Sequence, residues 1–253
     1  MANVLVQGSR EQALVESKPH RWALSFWARG FRRLARQQVV MRHVRRFCQP
    51  MELAGLEHLS QLPTPAIIIA NHTSHFDVVI ALSILPERLY SRVAVAAAAD
   101  RFYTGKIKDR IKGAWHSLRY NTYPITRGGG RAALTHSEWL LEHDWSLLLF
   151  PEGKRSRTGE LLPFHPGPAI LALRQGVPVL PVHIEGASNI LQPGTRWARP
   201  AAVRVKAGPP LAFDGNDSVQ EAMAKMEAAM RALAQPQPVE VVESREPSLA
   251  GRR

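Results

Sequence analysis

Cysteine is almost absent from the 253-residue chain, which contains Cys48 alone. A single cysteine excludes an internal disulfide framework and a cage of thiolate metal ligands, and it fits a reducing compartment. We interpret Cys48 as a small apolar residue at a helix end. Long apolar runs are missing as well, because the longest, residues 66–70 and 93–99, have only the length of strands. We therefore expect no transmembrane helix and no signal peptide.

Acidic residues are missing between Lys18 and Met51, a segment that holds nine lysines and arginines. Nine of the twelve net positive charges of the chain thus lie in this segment, and the remainder is close to neutral. Such local charge indicates contact with an anionic partner: lipid headgroups, nucleic acid or a calmodulin-type protein.

Within this basic segment the apolar residues recur at helical spacing. They are Leu24, Trp27, Phe31 and Leu34. An aromatic stripe flanked by arginines is typical of helices that lie in the membrane interface. We predict that residues 20–47 form a basic amphipathic helix that binds an anionic membrane surface. Packing of this helix on its own domain is the alternative. No nucleic-acid motif accompanies the arginines, so no nucleic-acid partner is predicted.

After Pro50 the pattern changes to short apolar runs that alternate with helical stretches. Strands are predicted at 66–70, 93–98, 123–126, 146–150, 179–184 and 202–207. Helices are predicted at 78–84, 131–143, 168–174 and 219–234. This alternation predicts an α/β fold with a single domain, a mixed sheet flanked by helices, preceded by the N-terminal helix. We expect a membrane segment at 1–50, the folded domain at 51–234 and a disordered tail at 235–253.

Polar residues follow directly on the first predicted strand, in the sequence Asn71-His72-Thr73-Ser74-His75-Phe76-Asp77. Loops at strand ends are where α/β proteins place chemistry. The spacing of His72 and Asp77 lets the carboxylate fold back and bind one ring nitrogen. That contact orients the imidazole and stabilises its protonated form, so His72 becomes a candidate general base for a substrate hydroxyl. A structural role for the pair remains open at this point.

Two other interpretations of the same residues are possible. His72, His75 and Asp77 include the donor types of a metal site, which would indicate a metal-dependent hydrolase. No second ligand cluster follows a later strand, which weakens that interpretation. Ser74 as a nucleophile is weaker still, because it lacks a glycine elbow.

A second polar cluster follows the strand that ends at Phe150, in the sequence Pro151-Glu152-Gly153-Lys154-Arg155-Ser156-Arg157. Glycine lets the backbone approach a ligand closely, and the planar guanidinium suits phosphate. Arg127 follows another predicted strand. These residues predict an anion pocket, and for each alone the alternative is a solvated basic turn.

Together these motifs resemble the glycerolipid acyltransferase family, which includes 1-acylglycerol-3-phosphate acyltransferases. Residues 71–77 look like the His-x4-Asp block of that family, and residues 121–127 resemble its second block. Residues 150–157 are similar to its Phe-Pro-Glu-Gly block, and residues 177–182 to its fourth. Two departures affect the expected acceptor or its binding loop: Asn121 stands where the family usually has glycine, and Lys154 where it usually has threonine.

The resemblance implies that His72 is the general base and Asp77 its orienting partner. It also implies contacts to the glycerol-phosphate part of the acceptor from Arg127, Glu152, Gly153, Arg155 and Arg157. The donor would be acyl-CoA or acyl carrier protein, and the acceptor a lysophospholipid such as 1-acylglycerol-3-phosphate. No metal or prosthetic group is needed.

The expected role is phospholipid biosynthesis or remodelling, at the cytoplasmic face of the cell membrane, with the protein bound peripherally. A non-catalytic lipid-binding relative is the alternative from another class, although binding alone does not require the His–Asp pair.

Overall fold

The computed structural model describes residues 21–98, 107–125, 133–191, 195 and 197–235. Its strands form one seven-stranded sheet. In chain order they are β1 (Cys48–Ala54), β2 (Ile67–Ala70), β3 (Val93–Ala98), β4 (Thr122–Ile125), β5 (Ser146–Leu149), β6 (Val179–Glu185) and β7 (Ala201–Ala207).

A short 3-10 helix at Arg21–Leu24 precedes the α-helices. The α-helices are α1 (Phe26–Ala35), α2 (Arg42–Phe47), α3 (Leu56–Gln61), α4 (Phe76–Ile84), α5 (Glu87–Tyr90), α6 (Ile107–Tyr120), α7 (Thr135–Glu142), α8 (Gly167–Gln175), α9 (Ala187–Ile190) and α10 (Val219–Ala234). A π-helical segment, Arg36–Met41, joins α1 to α2, so that Phe26 to Phe47 form one nearly continuous helix.

The strand order is β1-β7-β6-β2-β5-β3-β4. All neighbours are parallel except β6 and β7, so the sheet is mixed, as the sequence predicts. The central strand β2 is buried on both faces: Ile68 packs into one apolar core, and Ile67 and Ile69 into the other. A strand covered by helices on both sides requires apolar residues at successive positions, which explains the run at 66–70.

The N-terminal helix both packs on the domain and exposes apolar rings. Ala28, Val40 and Val44 are buried against the domain, whereas Trp27 is 83% exposed and Leu34 is 64% exposed. The predicted basic amphipathic helix is therefore present. One of its faces packs on the domain, as the alternative interpretation expected, and the other face is exposed. Among the described residues, no helix is both long and apolar enough to cross a membrane.

All six predicted strands are present, but the sequence prediction missed β1, the long helix α6 and the short helices α3, α5 and α9. β1 begins at Cys48, so the predicted boundary at residue 50 falls inside a strand. Pro50 and the partly exposed side chains of β1 obscure the strand pattern in the sequence. A proline is tolerated here because β1 lies at the edge of the sheet. The expected helix start at residue 131 and the expected tail after residue 235 lie outside the described residues.

Candidate active site

Two neighbouring parallel strands, β2 and β5, end side by side and deliver the two polar motifs to the same edge of the sheet. Asn71 directly follows β2. Its side-chain amide donates to the carbonyl of Ile184 at 2.8 Å and accepts the N–H of Ile184 at 2.7 Å. The amide thus replaces a backbone pairing with β6 and fixes where the chain leaves the sheet, immediately before His72.

His72 and Asp77 form the hydrogen bond that their spacing predicts. Nδ1 of His72 lies 2.9 Å from Oδ2 of Asp77. An ionised carboxylate can only accept, so Nδ1 carries the proton and Nε2 is left with a free electron pair. No hydrogen bond joins Nε2 to any part of the chain that the structure describes. The ring is partly exposed, with a side-chain exposure of 18%, whereas Asp77 is fully buried.

Asp77 is itself held by the loop that precedes it. Its Oδ2 also accepts the backbone N–H of Thr73 at 2.6 Å and that of Ser74 at 2.7 Å. Asp77 lies in the first turn of α4, where the positive end of the helix dipole favours a negative charge. A buried carboxylate with three donors has little freedom, so it holds the imidazole in one orientation.

The backbone of His72 is bound on both sides by the second motif. The Glu152 carboxylate accepts its N–H at 2.8 Å through Oε1, and the N–H of Ser156 donates to its carbonyl at 2.7 Å. The ring of Phe150 stacks on the imidazole, with centroids 4.4 Å apart. The catalytic candidate and the basic loop therefore form one rigid unit.

Glu152 differs from the sequence expectation in where its carboxylate points. Only 1% of the residue is exposed, and Oε2 accepts the N–H of Leu162 at 3.0 Å. Burial raises the pKa of this carboxyl, and the N–H groups of Leu162 and His72 act in the opposite direction. Direct contact with the acceptor thus stays a prediction, while the structure shows Glu152 positioning His72.

Gly153 has a backbone conformation that favours glycine, with a φ of +66°. A Cβ at this position would lie 2.7 Å from Cδ2 and 2.8 Å from Nε2 of His165. The N–H of His165 donates to the carbonyl of Pro151 at 2.8 Å, which brings this exposed ring onto the loop. Glycine is thus required both for the turn and for the approach of His165, a neighbour that the sequence prediction missed.

The cations of the second motif are exposed. Lys154, Arg155 and Arg157 make no ion pair with any carboxylate of the described residues. Glu152 and Ser156 tie this loop to the backbone of His72, so the three cations belong to a loop that contacts the catalytic candidate. Arg127, the remaining predicted acceptor contact, lies outside the described residues. Asn121 has a φ of 52°, which explains how it replaces a glycine.

The alternative interpretations receive less support from the geometry. Among the described residues, no group of three or more His, Cys, Asp or Glu side chains is arranged to hold a metal ion. Ser74 is buried, and its Oγ accepts the N–H of Phe76 at 3.3 Å, a contact within the loop. His72 thus remains the candidate reactive group of this loop.

Comparison with known proteins agrees with the geometry. A family model described as Acyltransferase matches residues 51–185. A 1-acyl-sn-glycerol-3-phosphate acyltransferase from Limnanthes douglasii is 31% identical over 169 residues, covering 65% of this chain and 56% of the relative. A 1-acyl-sn-glycerol-3-phosphate acyltransferase alpha from Mus musculus is 26% identical over 169 residues, with the same coverage of both chains. The chain spans about half the length of these curated relatives.

The fold also resembles a solved structure. The crystal structure of the 1-acyl-sn-glycerophosphate acyltransferase PlsC from Thermotoga maritima superposes with a TM-score of 0.62 at 21% sequence identity. The match covers 88% of this chain and 86% of that chain. At this identity the likeness concerns the α/β fold and its order of elements.

Proposed function

We propose that this chain, which belongs to the acyltransferase family, transfers a fatty acyl group from a thioester to the hydroxyl of 1-acylglycerol-3-phosphate or a related lysophospholipid. One observation carries the proposal. The Nδ1–H of His72 is bound by Asp77, so Nε2 is free to accept a proton beside a loop of unpaired cations. A base next to an anion-binding loop suits a substrate that carries a hydroxyl close to a phosphate.

The reaction follows from this arrangement. Nε2 of His72 removes the proton of the acceptor hydroxyl as its oxygen attacks the thioester carbonyl. A C–O bond forms, the C–S bond breaks, and the imidazolium returns the proton to the departing thiolate. Asp77 stabilises the imidazolium throughout, and Phe150, Glu152 and Ser156 keep the ring in place.

The donor and the acceptor headgroup are the finer parts of the proposal. We propose acyl-CoA or an acyl carrier protein as donor, since both present a thioester. Arg155 and Arg157 would bind the acceptor phosphate, together with Arg127. Lys154 adds a further positive charge to the loop, which favours acceptors with a large anionic headgroup.

The test is acyl transfer from radiolabelled long-chain acyl-CoA, and separately from acyl carrier protein, to a panel of lysophospholipids. Wild type is compared with His72→Ala, and with His143→Ala as a control at an exposed histidine after α7. We expect transfer by wild type and the control, and a rate about 10²- to 10⁴-fold lower in His72→Ala. Folded wild type that transfers to no acceptor would favour a non-catalytic lipid binder.

We further propose that the protein binds peripherally to the cytoplasmic face of the cell membrane. Exposed apolar side chains are concentrated on α1 and on α6, two helices that pack against each other. They are Phe26, Trp27, Phe31, Leu34, Ile111 and Trp115. The surrounding segment carries nine cations and no carboxylate between Lys18 and Met51, which suits a surface of anionic lipids.

Two equally exposed tryptophans provide a matched test. Trp27 on α1 is 83% exposed, and Trp197 in the loop before β7 is 82% exposed. Binding to phosphatidylcholine vesicles that contain 30% phosphatidylglycerol is measured by sedimentation. We expect Trp27→Ala to weaken binding several-fold and Trp197→Ala to leave it unchanged. Equal effects would contradict a docking surface on α1 and α6.

A further inference from the structure

Arg32, on the inner face of α1, is a buried cation. The residue is 5% exposed, and neither Nη1 nor Nη2 has a hydrogen-bond partner in the described structure. Burial lowers the pKa of Arg32 to about 10; Tyr90 opposes that shift and Arg29 adds to it. A guanidinium stays protonated near neutral pH, so the helix keeps a positive charge away from water.

Two more arginines surround this group. Arg29 lies one turn earlier on α1, and Arg119 lies near the end of α6. The Nε of each is also buried and without a partner among the described residues. The hydroxyl of Tyr90 donates to the backbone carbonyl of Arg32 at 3.2 Å, and α1 packs against α6. Arg29 and Arg32 thus lie one turn apart on α1, and Arg119 lies on the helix that packs against α1.

The cluster lies away from the catalytic candidate. Tyr90 precedes β3 and Tyr120 precedes β4, whereas His72 follows the carboxyl end of β2. β2, β3 and β4 run in the same direction through the sheet. The arginines therefore lie at the amino ends of the strands and His72 at the opposite edge, so the acceptor at His72 does not neutralise them.

We propose that Arg32, Arg29 and Arg119 form a second anion site, which binds the headgroup phosphate of an anionic membrane phospholipid. Phosphate suits the site because the planar guanidinium forms paired hydrogen bonds with two of its oxygens. A lipid suits it because the same two helices expose Trp27, Phe31 and Trp115, which would contact the acyl chains of that lipid. The site is independent of acyl transfer, and rests on the proposed membrane contact only for the source of the phosphate.

The test measures the melting temperature of the full chain with dihexanoylphosphatidylglycerol below its critical micelle concentration, and with inorganic phosphate. We expect the short lipid, near saturation, to raise the Tm of wild type by about 3 to 5 °C. A shift with the lipid alone identifies the headgroup as the source. An equal shift with inorganic phosphate supports the site and identifies free phosphate as a source.

Variants separate this site from general charge effects. Arg32→Met removes the unpaired charge, so the ligand-free Tm should rise and the lipid-induced shift should disappear. Arg119→Gln, a change on α6, should reduce the lipid-induced shift in Tm. Arg42→Gln removes an exposed charge from the same long helix and should keep the full shift. His72→Ala should also keep it, which distinguishes failure of this site from failure of the proposed reaction.

Three results would overturn the proposal. The first is the absence of a shift in wild type with either ligand, and the second is an Arg32→Met protein that retains the shift of wild type. A lower ligand-free Tm in folded Arg32→Met would show that Arg32 is neutralised by the chain itself.

Discussion

The loop around His72 and the arginine cluster around Arg32 differ in whether their buried charged groups have hydrogen-bond partners. Buried Asp77 accepts three hydrogen bonds from ring and backbone donors, and Glu152 accepts two. Arg32 is equally buried, yet both of its terminal nitrogens lack a partner in the described structure. A satisfied network holds its geometry without a ligand, which suits a catalytic base. An unsatisfied charge gains most from a ligand, which suits a binding site.

Among changes outside the His72–Asp77 pair, the largest effect is expected from removing a hydrogen bond of Glu152. In Glu152→Gln one carboxylate oxygen becomes an amide nitrogen, which cannot accept, so one of the two hydrogen bonds, from the N–H of His72 or from that of Leu162, is lost. We expect kcat to fall about 10²-fold, because a small displacement of a catalytic group is costly, while the KM for the acceptor changes little. Steady-state kinetics with Glu160→Gln, an exposed residue of the same loop, provide the control.

The KM distinguishes the two roles considered for Glu152. A large rise in KM with unchanged kcat would show that the carboxylate binds the acceptor, as the family resemblance implies. That result would contradict the positioning role.

A smaller effect is expected from crowding the same loop. Gly153→Ala places a side chain at a φ of +66° and against the ring of His165. Gly159→Ala meets a similar φ of +86° but open space. We expect Gly159→Ala to lower the free energy of unfolding by about 1 to 2 kcal/mol, and Gly153→Ala to lower it further. Urea denaturation measures both, and equal losses would show that His165 moves aside freely.

The smallest effect is expected from the exposed cations beside His72. Arg155→Gln should raise the KM for a phosphate-bearing acceptor about three- to ten-fold at low salt, with kcat nearly unchanged. The difference should shrink as ionic strength screens the charge. Arg231→Gln, at an exposed arginine of α10, is the control. A fall in kcat at constant KM would instead place Arg155 in the chemical step.

Much of the fold and part of the site follow from local sequence pattern. Apolar runs predicted β2 and β5, and the spacing of His72 and Asp77 predicted their hydrogen bond, since five residues across one turn limit where a carboxylate reaches. The left-handed conformation of Asn121 agrees with its replacement of a glycine. Each of these features depends on neighbours close in the chain.

Features that depend on distant contacts were not predictable in the same way. The Glu152 carboxylate accepts the N–H of His72, eighty residues earlier in the chain, and no local sequence pattern predicts that contact. In the sequence Arg32 resembles any solvated arginine, because its burial depends on residues distant in the chain such as Tyr90. Helix α6 had a recognisable pattern, with Ile107, Ile111 and Leu118 near helical spacing, whereas the edge strand β1 had little.

The central claim is that Asp77 holds His72 in the tautomer that makes Nε2 a base. The most direct measurement is the kcat and KM of Asp77→Asn with acyl-CoA and lysophosphatidate, beside wild type. An asparagine amide that donates to Nδ1 moves the ring proton to Nε2, which then cannot accept the substrate proton. We predict a kcat about 10²- to 10⁴-fold lower, with the KM for the acceptor little changed. A folded Asp77→Asn protein whose kcat stays within two-fold of wild type would contradict the account.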